Sequence, residues 1–265
     1  MTRSTSTKKI QKNLLELLKS FDLLCRLNGI DYSLHGGTLL GAVRNQGFIE
    51  WDDDADVAMT RKNFDQLLAL LREDPQCSNF KLDTSTSQRP MLWSVNNDIP
   101  VWIDIFVYDY ISENQIAKTF KLSLSVLFLA FTKTEKTMKV FRQGSHGQGF
   151  SRFFVESLYL LGLLFPMKGK IKLANHIFSH FFNGSGKLIF RSNDQYLGIK
   201  KVIPSTSMSS YCRLPFEDTD LQVSTDWHGI LTSCYGQDYM VPKKEKTVVL
   251  EAHNIYRSFN KPNEK

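Results

Sequence analysis

The chain has 265 residues, 42% of them hydrophobic, which is enough for one large domain or two modest ones with a sizeable core. Its formal charge of +6 is unevenly spread: residues 115–187 hold eleven Lys or Arg against two acids, Glu135 and Glu156, so the rest of the chain is net acidic. This is a local basic segment and not the uniform charge of a nucleic-acid binder, and no helix-turn-helix or RNA-binding signature accompanies it. Cys25, Cys77, Cys212 and Cys234 show no C-x-x-C spacing, which argues against a zinc knuckle or a disulfide framework and for reduced thiols in a cytoplasmic setting.

Ile10, Leu14, Leu17, Leu18, Phe21 and Leu24 recur at helical spacing, so the chain opens on an amphipathic helix that stops at Asn28-Gly29 and is not a signal peptide. Ile30 to His35 reads as a strand, Gly36-Gly37 as a tight turn, and Thr38 to about Arg44 as a short helix. Asp54 to Met59 reads as a strand and Arg61 to Leu71 as a helix capped by Thr60. Met91 to Val95 and Val101 to Tyr110 are further strands.

The middle segment has two apolar runs, Leu122 to Phe131 and Phe153 to Phe165, with a flexible loop at Gly144 to Gly149 between them. Both runs fall short of the roughly 18–20 apolar residues that a bilayer span needs. They read either as two core helices packed on one another or as a hairpin in a lipid headgroup layer, flanked by Lys118, Lys121, Lys133, Lys136, Lys139, Arg142, Arg152, Lys168, Lys170 and Lys172. Beyond Ile189, Val202-Ile203 is strand-like, Leu214 to Phe216 forms another element, and a helix is expected near Thr225 to Cys234. The expected division is a catalytic core at 1–114, a basic-apolar helical insertion at 115–187, and a part at 188–265 that completes the fold.

Chemistry concentrates in His35 to Arg44 and Phe48 to Val57. Side chains on a strand repeat every two residues, so Asp54 and Asp56 share a face, and two carboxylates one pleat apart call for a cation such as Mg²⁺ or Mn²⁺. Asp104 is an ionisable residue inside the apolar strand Trp102-Ile-Asp-Ile-Phe-Val107, and its burial without compensation would be expensive. If the two strands are neighbours, Asp54, Asp56 and Asp104 converge on a metal, with one carboxylate able to accept a proton. Asp52 and Asp53 read as local turn residues. Gly36 and Gly37 let backbone N–H groups approach a phosphate at a helix N-terminus, Thr38 adds a hydroxyl, and Arg44 offers a two-pronged guanidinium. Trp93, Trp102 and Tyr108 read as core aromatics, one of which could also face a quaternary ammonium. The histidines, His35, His228 and His253 among them, show no metal-ligand spacing.

Gly-Gly, a D-x-D strand and a lone Asp on a later strand resemble the nucleotidyltransferase superfamily. The fuller string G-G-T-L-L-G-A-V-R followed by F-I-E-W-D-D-D-A-D is similar to the LicD family, which includes the fukutin-related glycan-modifying proteins. The resemblance extends through Ile103 to Phe106 and Cys234 to Pro242, with Glu50 where the family usually has Pro. It implies an α/β (α+β) fold with a small mixed sheet and flanking helices. It also implies metal-dependent transfer of a phospho-choline or phospho-polyol group from a CDP-activated donor to a cell-surface glycan of the lipopolysaccharide, teichoic acid or capsule kind, with release of CMP. The implied setting is the cytoplasm, peripheral to the inner face of the membrane where lipid-linked acceptors are built. The alternatives are a nucleotidyltransferase acting on a small molecule, or a membrane-binding module on an inactive transferase core.

Overall fold

The computed structural model describes residues 3–84, 89–95, 99–143 and 150–242. The chain opens with α1 (Arg3–Leu27), β1 (Ser33–Leu34), α2 (Gly36–Asn45), β2 (Ala55–Thr60) and α3 (Arg61–Glu73). β3 (Phe80–Asp83), β4 (Met91–Ser94) and β5 (Trp102–Ile111) follow, then four helices: α4 (Gln115–Phe131), α5 (Glu135–Gln143), α6 (Phe150–Leu163) and α7 (Met167–His180). The last part contains β6 (Leu188–Arg191), α8 (Tyr196–Ile199), β7 (Val202–Pro204), β8 (Tyr211–Phe216), β9 (Thr219–Ser224) and α9 (Trp227–Tyr235).

Seven strands form one mixed sheet, ordered β1-β2-β5-β4-β3, with β6 pairing both β5 and β7; β8 and β9 form a separate hairpin. This is the α+β class that the sequence implied. β5 is the spine. One edge pairs with β2, the sheet's one parallel pair among the described residues. The other edge is shared by β4, opposite Trp102–Asp104, and β6, opposite Tyr108–Ile111. Asn193 bridges the gap between them: its Oδ1 accepts the Val107 amide and its Nδ2 donates to the Ile105 carbonyl, both at 2.9 Å. Without that side chain, two groups in mid-sheet would lose partners that a buried backbone requires.

The apolar faces fit this arrangement. Leu14, Leu17, Leu18 and Phe21 of α1 are buried together with Val57, Ile103, Ile105 and Val107, and α3 adds Phe64 and Leu67. Thr60 caps α3 by accepting the Asn63 amide at 3.3 Å. A buried ion pair fastens α3 to β5, where Arg61 donates to Asp109 from Nε at 2.8 Å and from Nη2 at 2.7 Å.

Several expectations need correction. The strand at Ile30 to His35 shrinks to Ser33–Leu34, because its antiparallel pairing with β2 covers only Ser33↔Ala58 and Leu34↔Val57. In the basic segment, Lys121 and Lys170 do not flank a lipid-facing surface. Lys121 is fully buried and donates to the Tyr110 and Phe178 carbonyls and to Asn183 Oδ1 at 2.6–2.8 Å. Lys170 donates to the carbonyls of Phe131 at 3.2 Å and Gly162 at 2.9 Å, where α4, α6 and α7 meet. Three of these carbonyls, Phe178, Phe131 and Gly162, lie in the last turns of helices, where carbonyls lack intrahelical donors, and the fourth, Tyr110, lies on β5. The expected loop at 144–149 lies outside the described residues, as does His253.

Candidate active site

The D-x-D segment and the apolar strand carrying Asp104 are neighbours, in a register that sets Asp56 directly opposite Asp104. In a parallel pair, facing residues project to the same side, so the two carboxylates stand together. Asp54 immediately precedes β2. The start of α2 clamps the backbone of Asp56, whose amide donates to Thr38 Oγ1 at 2.9 Å while its carbonyl accepts the His35 amide at 2.9 Å.

Gly36 and Gly37 meet the acids at this point. Gly36 has φ +54°, a left-handed conformation that L side chains disfavour, and a Cβ there would overlap the Asp56 carboxylate. A Cβ on Gly37 would come within 2.8 Å of Asp52 Oδ2. The carboxylates of Asp56 and Asp52 thus lie against these two glycines, where they benefit from the positive end of α2. Thr38 is buried, and its oxygen accepts the Asp56 amide.

Electrostatics mark the pair as costly to ionise. Burial pushes the Asp56 pKa well above the usual carboxylate range, reinforced by the charges of Asp54 and Asp104. Burial raises Asp104 to about 6, against the opposing pull of the Arg89 guanidinium. Arg89 Nη1 lies 3.4 Å from Asp104 Oδ2, its Nη2 lies 3.5 Å from Asp194 Oδ1, and its guanidinium sits 4.1 Å over the Phe106 ring. Asp194 also pairs with Arg191 Nε at 2.9 Å, and Arg191 Nη1 donates to His35 Nε2 and to Cys234 Sγ. His35 is fully buried, and desolvation together with Arg191, Arg89 and Lys201 lowers its pKa well below the ordinary value, so it is neutral.

Arg44 is not among these groups. It sits in the last turn of α2, where its Nε donates to Asn45 Oδ1 at 3.1 Å. With about 1.5 Å of rise per residue, that places it roughly 12 Å along the helix from Gly36. Sequence reasoning missed Arg89, Arg191 and Asp194. Arg89 stands before Pro90 at the end of a polar stretch that looks like a solvated loop. Arg191 and Asp194 gave a fainter signal, as ionisable residues that close the apolar run Leu188–Phe190.

The donors present suit a hard divalent cation. Among the described residues no group of three His, Cys, Asp or Glu side chains is placed to hold a metal ion by itself. Mg²⁺ does not need such a cage, since it is usually held by one or two carboxylates together with substrate phosphates and water. Trp102 lies two residues before Asp104 on the same strand, hence on the same face, and packs on Trp93 with ring centroids 4.7 Å apart.

Comparison with known proteins finds relatives of this chain. Residues 29–156 match the family described as LicD/FKTN/FKRP, nucleotidyltransferase domain. The chain is 25% identical to the lipopolysaccharide cholinephosphotransferase LicD of Haemophilus influenzae, over 92% of this chain and 94% of that protein. A protein of Rickettsia typhi without an assigned role is 39% identical over 64 residues, which is 23% of this chain and 21% of that one. Over residues 29–156, this chain is similar to the LicD/FKTN/FKRP nucleotidyltransferase domain.

Proposed function

We propose that this chain is a metal-dependent phosphotransferase that moves a phosphocholine or phospho-polyol group from a CDP-activated donor to a hydroxyl of a cell-surface glycan, releasing CMP. The observation that carries the reading is the pairing of Asp56 with Asp104 across parallel strands, against the glycine-opened N-terminus of α2. The similarity to a lipopolysaccharide cholinephosphotransferase along nearly the whole chain points the same way.

Asp54, Asp56 and Asp104 would hold Mg²⁺ or Mn²⁺. Bound there, the cation would neutralise the donor's phosphate oxygens. The acceptor hydroxyl oxygen forms a bond to phosphorus, the bond from phosphorus to the CMP oxygen breaks with its electrons leaving on CMP, and one of the three carboxylates takes the hydroxyl proton. Positioning and fixed charge do most of the work in such transfers, and the chain supplies them through the α2 N-terminus at Gly36, Gly37 and Thr38 and through Arg89. Arg44 joins only with a donor long enough to reach the far end of α2.

The Trp93–Trp102 pair beside Asp104 favours a donor with a quaternary ammonium, which binds to aromatic faces. The test is incubation with CDP-choline, CDP-ribitol and CDP-glycerol in the presence of Mg²⁺, a glycan acceptor and the Trp93→Ala variant. CMP release supports the phosphotransferase, with Trp93→Ala raising KM for CDP-choline and leaving CDP-ribitol unaffected. Pyrophosphate and a nucleotidylated product from a nucleoside triphosphate would replace it with a nucleotidyltransferase.

A further inference from the structure

The helices between β5 and β6 contain a surface that the site does not use. Tyr159 and Gly162 are buried on α6, and a Cβ on Gly162 would collide with the Phe131 carbonyl at the end of α4. One narrow face of α6 thus packs against α4. Another face carries exposed apolar side chains: Phe153 (71%), Leu160 (60%) and, just past the helix end, Leu164 (76%) fall at i, i+7 and i+11, interrupted by Ser157, with Phe154, Leu161 and Phe165 in the adjoining row. A stripe of this kind normally faces a core, and soluble monomers rarely leave one uncovered.

The charge around the stripe indicates what covers it. Arg152 lies at its start, and Lys168 and Lys172, one turn apart and both exposed, follow its end on α7. The segment's two acids are already paired, Glu135 with Lys139 at 3.5 Å and Glu156 with Arg142 and Arg152 at 3.2 and 3.1 Å. A second copy of this chain would bring the same positive charge against itself. Among the described residues no helix is long and apolar enough to cross a membrane.

We propose that α6 lies flat in the headgroup layer of an anionic bilayer, with its Phe and Leu side chains among the upper acyl carbons and Lys168 and Lys172 on lipid phosphates. Apolar burial combined with attraction to anionic lipid is how interfacial helices bind without spanning, and the attraction weakens as salt screens it. The proposal rests on α6 and α7 alone and is independent of the reaction assigned to the carboxylates.

The intact chain is floated with phosphatidylglycerol–phosphatidylcholine vesicles and with phosphatidylcholine vesicles, at low and high salt. Light scattering follows its oligomeric state. The wild type is expected to float with the mixed vesicles at low salt and to be released by high salt. L160E/L164E and K168E/K172E should each weaken partitioning by about tenfold or more while keeping the wild-type melting temperature, because all four residues are exposed. CMP release from the CDP-activated donor with a soluble acceptor should be unchanged in both variants, whereas D56N should lose CMP release and still float, so the two readings fail separately. Failure of the wild type to float at low salt overturns the proposal. So does flotation of both double variants equal to that of the wild type, or a dimer that L160E/L164E dissolves.

Discussion

Arg89 is ion-paired with Asp104 at 3.4 Å, beside the one point where β2 and β5 oppose two carboxylates. A guanidinium there offsets repulsion that would otherwise destabilise the folded state, and a divalent cation would do the same. Arg89→Met should therefore lower the unfolding free energy by about 2 kcal/mol in chelator, the scale for a lost bond to a charged group. Saturating Mg²⁺ should recover part of that deficit. Denaturant titrations of both proteins with and without Mg²⁺ test this, and an equal deficit in both conditions would separate Arg89 from the metal's carboxylates.

Asp54→Asn and Asp56→Asn should abolish CMP release and leave the fold intact. Burial raises the Asp56 pKa, so the ionised carboxylate weakens the native state at neutral pH, and a neutral amide removes that penalty. The melting temperature of Asp56→Asn in chelator should equal or exceed that of the wild type, and the rise on adding Mn²⁺ should disappear. Wild-type turnover by either variant at saturating Mg²⁺ would remove these residues from the site.

How much of this was legible depended on the range of the interactions. The expected strands around Asp56 and Asp104 have a period and composition that survive without context, whereas their adjacency stood only as a condition until the register of β2 and β5 supplied it. Thr60 capping α3 is equally local. The length of β1 could not be read, because apolar residues at Ile30 and Tyr32 look like strand whether or not a partner runs beside them. Asn193 standing in for a strand along β5 leaves no sequence trace, and neither does the contact of Arg89 with residues 15 and 105 positions away. The lysines misled for a related reason: Lys121 and Lys170 resemble their neighbours in sequence, and only the packing of α7 against β5 and against the ends of α4 and α6 shows that they hold buried carbonyls.

Two glycines separate backbone strain from site geometry. Gly29 and Gly36 both have positive φ, +61° and +54°, but a Cβ on Gly29 meets nothing within 4 Å while one on Gly36 overlaps the Asp56 carboxylate. Gly29→Ala should cost about 1 kcal/mol of stability and leave activity alone. Gly36→Ala carries the same strain and also displaces Asp56, so CMP release should fall by about a hundredfold, the scale for a catalytic group misplaced by an ångström. Comparable activity loss in the two variants, measured beside their melting temperatures, would show that the glycine at position 36 serves only the turn.

Acid sensitivity should trace to His35. The ring is buried between Phe106 and Tyr108, accepts from Arg191 at Nε2, and has Arg89 and Lys201 as its other charged neighbours. Its folded pKa lies well below its unfolded value near 6.5, so below that pH the unfolded chain binds a proton that the native state refuses. The neutral-ring contribution is complete above about pH 6.5 and is lost as pH falls from there toward the folded pKa. The slope can reach about 1.4 kcal/mol per pH unit for a single group. The wild type should lose stability between about pH 6.5 and 5 more steeply than His35→Gln, whose amide keeps a polar group near Arg191 and does not titrate in that range. Parallel denaturant titrations across that window measure the difference. Parallel curves for the two proteins would mean that His35 takes up its proton as readily in the fold as outside it, and that its contact with Arg191 does not hold the ring neutral.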